Sequence, residues 1–216
     1  GLAENTVVVF SSDQGPQRPN GIGENATGPQ AKARVKKHRN GTIKKPSPYN
    51  QNMLGDTGVF RGNKGTMREG GLRIPFIIRW PGKVKAGVVD EVNVIAGYDW
   101  LPSVCSLAGA GGVPDDLDGE DVSDIWQGAR RERSEPLLWG SRRLAAIRDG
   151  KWKLVAGNGS GGREEPKGVP FGQPYQLYDL EADPSETRDL LDARPEVARR
   201  LEATLEQLRT NGRSRE

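Results

Sequence analysis

The sequence predicts an α/β protein: part of a mostly parallel sheet, followed by a smaller α+β unit with an antiparallel sheet and a terminal helix. Three observations carry this reading. Thr6 to Ser12 is a continuous β-branched and aromatic run and Ile74 to Trp80 a second strand of the same kind, the pattern of strands buried on both faces. Beyond residue 137 the pattern changes to short alternating segments, with Asp149-Gly150 as a two-residue hairpin turn between two of them. Near the end, Val197, Leu201, Leu205 and Leu208 recur at helical spacing behind Pro195, a favourable first helical residue.

In chain order, the first strand stops at Asp13-Gln14-Gly15-Pro16, and a long excursion rich in Gly, Pro and Asn runs to Gly58. The second strand stops at Pro81-Gly82. Asp99 is expected to cap a helix through Ala108, with Leu101, Val104, Cys105 and Ala108 on its apolar face and Gly109 as its end. The expected division is a sheet unit over 1–110, a linker over 111–136 and a sheet-plus-helix unit over 137–216. In that last unit Leu137 to Trp139, Leu144 to Arg148, Lys151 to Val155 and Tyr175 to Leu180 read as antiparallel strands. Trp152 and Leu154 alternate with Lys151 and Lys153, predicting one apolar and one wet face.

Composition narrows the function. There are 32 Lys and Arg against 29 Asp and Glu, interspersed, for a formal charge of +3, so no nucleic-acid partner is expected. One cysteine, Cys105, excludes an internal disulfide framework and a Cys-based zinc cluster. No apolar run reaches the ~18 residues of a membrane span. The chain enters a core strand almost at once, without a basic leader or apolar leader segment, which implies that its natural beginning lies upstream.

Two segments carry chemistry. Asp13 and Gln14 stand where a buried strand ends, the place where ligands gather in open α/β sheets. They offer one anionic and one neutral oxygen to a hard cation, too few to hold it alone. Lys64 lies in a loop with glycines on both sides, where backbone can approach an anion and the ammonium can act as a point charge on a sulfate or phosphate oxygen. Taken singly, each segment reads at least as well as an ordinary turn and a solvated lysine. His38, the only histidine, lies within the cations of Lys36, Lys37 and Arg39, which oppose its protonation. Asn25 and Asn40 open formal glycosylation sequons.

Taken together, the strings FSSDQG at 10–15, FRGNKGTMREGGLRIPF at 60–76 and RWPG at 79–82 resemble, in order and spacing, the second half of the sulfatase catalytic domain. YDWLPS at 98–103, LDGED at 117–121, IRDGKWKL at 147–154 and QLYDLEADPSET at 176–187 resemble later segments of the same family. The resemblance implies an alkaline-phosphatase-like fold and a metal-assisted sulfate-ester hydrolase, acting on sugars or aryl alcohols, with periplasmic or secreted placement. It implies Asp13 and Gln14 as metal ligands, for Ca2+ with Mg2+ also possible, and Lys64 as the catalytic lysine on the sulfate. Gln14 departs from the commoner Asn, which keeps the amide oxygen and alters its reach. Glu69 and Arg73 match a family motif too and read as a loop-fixing ion pair.

The formylglycine nucleophile the family makes from Cys or Ser in a Cys/Ser-x-Pro-x-Arg motif has no counterpart in these residues and is expected upstream, in the missing amino-terminal portion. Cys105, followed by Ser-Leu-Ala, reads as a small buried apolar residue. The chain alone is therefore expected to be inactive. Two alternatives stay open: a phosphonate or phosphodiester hydrolase of the same superfamily, and a noncatalytic module binding sulfated glycans through the basic stretch Lys32 to Lys45.

Overall fold

The computed structural model describes residues 2–16, 57–114, 116–140, 144–161, 165–169 and 171–212. His38, the basic stretch Lys32 to Lys45 and the sequons at Asn25 and Asn40 lie outside them. The described residues form two sheets and four α-helices.

The first sheet pairs β1 (Val8–Ser11) with β2 (Phe76–Arg79). The pairing is antiparallel, with Val8 opposite Arg79 and Ser11 opposite Phe76. The parallel arrangement expected for these strands is thus not what they adopt. Ser11 and Phe76 meet at the same end of the pair, so the long intervening chain leaves and returns there without a crossover. An apolar run reports burial, not direction. Burial on both faces is corrected as well: Val8, Phe10 and Ile77 are at least half exposed, while Phe76 and Ile78, on the other face, pack against Val122, Ile125 and Trp126.

Those three residues flank and form α3 (Ser123–Trp126), within the segment expected to be a linker. Phe76, Trp100 and Trp126 stack in tilted and edge-on pairs with centroids 5.4–6.1 Å apart. Helix α2 (Trp100–Ala108) ends at Gly109, whose φ of 64° is the left-handed value that glycine tolerates. Its buried side carries Pro102 and Ser103, whereas Leu101 and Val104 face outward and Cys105 is half-buried, contrary to the expected stripe. Trp100 and Leu107 pack against the Val122, Ile125 and Trp126 cluster on this side, and between them Ser103 Oγ donates to Asp99 O at 2.6 Å and accepts Val122 N–H at 2.8 Å.

Asp99 stands at the N-cap of α2, but its side chain does not cap that helix. It is fully buried and accepts a two-pronged pair from Arg133 at 2.5 and 2.8 Å, together with the N–H groups of Ala96 and Glu120. A desolvated carboxylate takes the strongest donors available, and here those come from 34 residues along the chain. Nearby, burial pushes the Tyr98 phenol up to about 12 against the opposing Arg133 charge.

The second sheet is antiparallel, in the order β3 (Leu137–Gly140), β4 (Ala145–Asp149), β5 (Trp152–Ala156) and β6 (Gln176–Asp179), as the alternating segments predict. Asp149 is still paired, with Trp152, so the two loop residues are Gly150 and Lys151, one place later than expected. One face packs Ala145, Ile147, Leu154, Ala156 and Leu177 against Ala198, Leu201, Leu205 and Leu208 of α4 (Pro195–Asn211). Val197, the fourth residue of the expected stripe, is half-buried at its margin.

The other face is not wet. Lys151 is exposed at the turn and pairs with Asp179 at 2.9 Å, but Lys153 is completely buried. Val155 and Tyr178 share its face and pack with Leu144, Ala146 and Leu180 under a cover that includes Met67. The Lys153 ammonium lies 2.8 Å from Glu69 Oε1 and 2.8 Å from Glu186 Oε1. Arg73 and Arg148 approach the other Glu69 oxygen at 3.3 and 3.7 Å. Burial pushes the Glu69 carboxyl up, but the Lys153, Arg148 and Arg73 charges outweigh it and hold the group below the ordinary glutamate value.

Two outcomes follow. Leu201→Asp or Leu205→Asp places an unpaired charge under the second sheet and lowers stability by about 3 kcal/mol or more; urea unfolding followed by tryptophan fluorescence reads this, and wild-type midpoints for both would place the stripe in solvent. Because the folded pKa of Glu69 is depressed, its contribution is complete above the unfolded value of about 4.3 and is lost as pH falls through the folded value. The urea midpoint should therefore drop between about pH 5 and pH 3, and Glu69→Gln should flatten that drop. Some dependence persists, because burial is also outweighed at Glu120, by backbone donors together with Arg133 and Arg131, and at Asp183, by hydrogen bonds from Arg188 and Thr187. An equally steep drop in the variant would exclude this role for Glu69.

Candidate active site

The site is built where β1 ends. Ser12 Oγ donates to Gln14 O at 2.9 Å, tightening the turn that presents Asp13 and Gln14. Gly15 then donates its N–H to Gly71 O at 3.1 Å. The approach is so close that a Cβ on Gly15 would sit 1.8 Å from Gly70 O, which no side chain permits. Gly70 is equally confined, 2.5 Å from Gly62 O by the same construction. The glycines flanking this junction are required by backbone meeting backbone.

Lys64 is carried by the loop between Gly62 and Gly65, whose φ values of 96° and 85° need glycine. Its N–H donates to Pro16 O at 3.0 Å, so the loop runs alongside the Asp13 turn. Thr66 Oγ1 donates to Asn63 O at 2.8 Å and fixes the loop internally. The result is a Lys64 Nζ to Asp13 Oδ2 separation of 3.4 Å across 51 residues of sequence, with side chains 31% and 77% exposed. Two of the three residues singled out by sequence are thus in contact, and Gln14 is the immediate neighbour of one of them. Glu69 and Arg73 do form the expected ion pair, and Arg73 also lies 4.3 Å over the Phe60 ring.

Chemically, the turn offers carboxylate and amide oxygens, the hard donors that suit Ca2+ or Mg2+. They fit such a cation in kind but not in number: among the described residues no three His, Cys, Asp or Glu cluster closely enough to hold a metal. Lys64 and Asp13 both reach solvent, so an anion can meet the ammonium while a cation meets the carboxylate.

Sequence reasoning missed Lys153 and Glu186, which hold the far end of the Lys64 loop. A signal was present. Lys153 shares its strand face with Val155, and a solvated face does not ordinarily repeat a large aliphatic residue two positions on.

The sequence model described as Sulfatase matches residues 1–110. Over 214 residues the chain is 30% identical to an N-acetylgalactosamine-6-O-sulfatase of Bacteroides thetaiotaomicron, a match covering 97% of this chain and 37% of that protein. Over 220 residues it is 29% identical to arylsulfatase A of Homo sapiens, covering 93% and 37%. A solved structure from work on glycosaminoglycan metabolism by Bacteroides thetaiotaomicron superposes with a TM-score of 0.67 at 28% identity, covering 97% of this chain and 40% of that one. A Pseudoalteromonas sulfatase, 23% identical, shares the fold with a TM-score of 0.59. The chain therefore spans little more than a third of the length of these relatives. No described helix is long and apolar enough to cross a membrane. With the family model matching half of its length and with Lys64 set against Asp13 at the end of a strand, the chain belongs to the sulfatase family.

Proposed function

We propose that this chain supplies the later half of a sulfate-ester hydrolase site in a longer protein, acting on sulfate esters of sugars or aryl alcohols. The observation that carries this is the exposed 3.4 Å pairing of Lys64 with Asp13 beside Gln14. Asp13 and Gln14 would hold part of the coordination sphere of a divalent cation, calcium or magnesium. When bound, that cation draws negative charge from the sulfate oxygens as a Lewis acid. Lys64 would neutralise sulfate oxygen charge as the S–O bond lengthens, a fixed charge that needs no reorganisation. The backbone junction at Gly15 and Gly70 keeps the two groups in register.

The sugar-sulfate reading draws on the N-acetylgalactosamine-6-O-sulfatase relative, and the aryl reading on arylsulfatase A. The nucleophile is not part of this chain: none of its 216 residues lies in a Cys/Ser-x-Pro-x-Arg motif.

In the full-length protein, Lys64→Ala should lower kcat/KM for an aryl sulfate by about 10²–10³-fold. A change of less than about threefold would remove Lys64 from the chemistry. For the 216-residue chain alone, turnover of the same aryl sulfate with calcium should not exceed that of its own Lys64→Ala control, because a lysine and part of a metal site provide no nucleophile. Calcium titration of this chain should reveal no submicromolar site, two oxygens being far short of the six to eight that calcium prefers. Tight binding abolished by Asp13→Ala would show that the remaining ligands are already present.

A further inference from the structure

The Lys64 loop is gripped at its neck by Lys153 of β5 and by the turn that follows β6. On the descending limb, Glu69 opens the short helix α1 (Glu69–Leu72), and the residue before it provides no side-chain cap. The missing cap comes from 117 residues away, where Glu186 Oε2 accepts the Glu69 N–H at 2.6 Å. On the ascending limb, Arg61 Nη1 donates to the Glu186 backbone oxygen at 3.2 Å, and Ser185 Oγ donates to Val59 O at 2.6 Å. Gly70 N–H to Arg61 O at 2.7 Å closes the neck between the limbs. Lys153 then ties Glu69 to Glu186 through its two 2.8 Å ion pairs, and none of the three side chains is more than 3% exposed.

We propose that Lys153 and Glu186 are positioning residues for sulfate-ester hydrolysis, setting through Glu69 the place at which Lys64 meets the ester. This rests on the reading of Lys64 given above. A simple adhesive contact between loop and sheet could be apolar, since buried ion pairs rarely stabilise more than a well-packed apolar replacement. What the charges add is direction. Glu186 Oε2 fixes one N–H of α1, Lys153 hydrogen-bonds Glu69, and its ammonium holds Glu186 Oε1 by charge rather than by a hydrogen bond, so this register of the loop is favoured over others. Lys64, at the tip five residues before Glu69, inherits that register.

The test is kinetic, on the full-length protein with an aryl sulfate and rates normalised to folded enzyme. Lys153→Met and Glu186→Gln should each lower kcat about tenfold while KM moves less than about twofold, the pattern of a misplaced group rather than a lost binding contact. Placed in a Lys64→Ala background, the same changes should cost less than about twofold further, since residues acting only through Lys64 have nothing left to position. Glu186→Gln keeps an oxygen for the Glu69 N–H and the side-chain volume, and it carries the test alone if Lys153→Met does not fold. Unchanged kcat in Glu186→Gln, or penalties that multiply with that of Lys64→Ala, would overturn the proposal. A Lys64→Ala enzyme of full activity would overturn the site reading and this inference with it, which separates the two failures.

Discussion

A buried ammonium needs anionic partners, and Lys153 has two that belong to different parts of the chain. Glu69 follows the site loop and Glu186 lies in the turn after β6, so satisfying one charge draws three distant segments together. Leaving any member alone in a low-dielectric interior would cost several kcal/mol, which makes the three interdependent. The rest of the arrangement depends on that triangle: α1 starts where Glu186 caps it, and Met67 joins the apolar cover over the second sheet.

The second sheet is thereby buried on both faces by unlike material. α4 covers one with aliphatic side chains, and the site loop covers the other with a charged cluster ringed by apolar residues. Among the described residues the first sheet has one covered face, where Phe76 and Ile78 meet the tryptophans of α2 and α3. The Asp99, Arg133 and Glu120 network plays for that region the part that Lys153 plays for the other, again by burying one carboxylate against donors distant in sequence.

What could be read from the sequence follows the range of the forces involved. The four strands of the second sheet and α4 were legible because period-2 and helical spacing are local, and Gly109 and Pro195 mark element ends by their own backbone preferences. The proximity of Lys64 to Asp13 was legible only from the order of several motifs. The antiparallel pairing of β1 and β2 was not, since an apolar run does not encode strand direction. Lys153 was misread because a lysine's environment is decided by what packs above it, and Glu69 and Glu186 are 84 and 33 positions away. Asp99 shows the same limit: its position suits an N-cap, but Arg133 determines what it does. The outward turn of Leu101 and Val104 likewise follows from the packing of Trp100 and Leu107 on the other side of α2 and from the hydrogen bonds of Ser103 between them.

The meeting of Gly15 with Gly70 and Gly71 has a consequence for how the site can vary. The spacing between the Asp13 turn and the Lys64 loop is set by atomic radii of main-chain atoms, which do not change with rotamer, ionisation or modest rearrangement of surrounding side chains. It acts as a gauge block between the two charged groups. Diversification of substrate among proteins built this way would have to come from residues outside the block, while inside it even one added methyl group would force the two halves of the site apart.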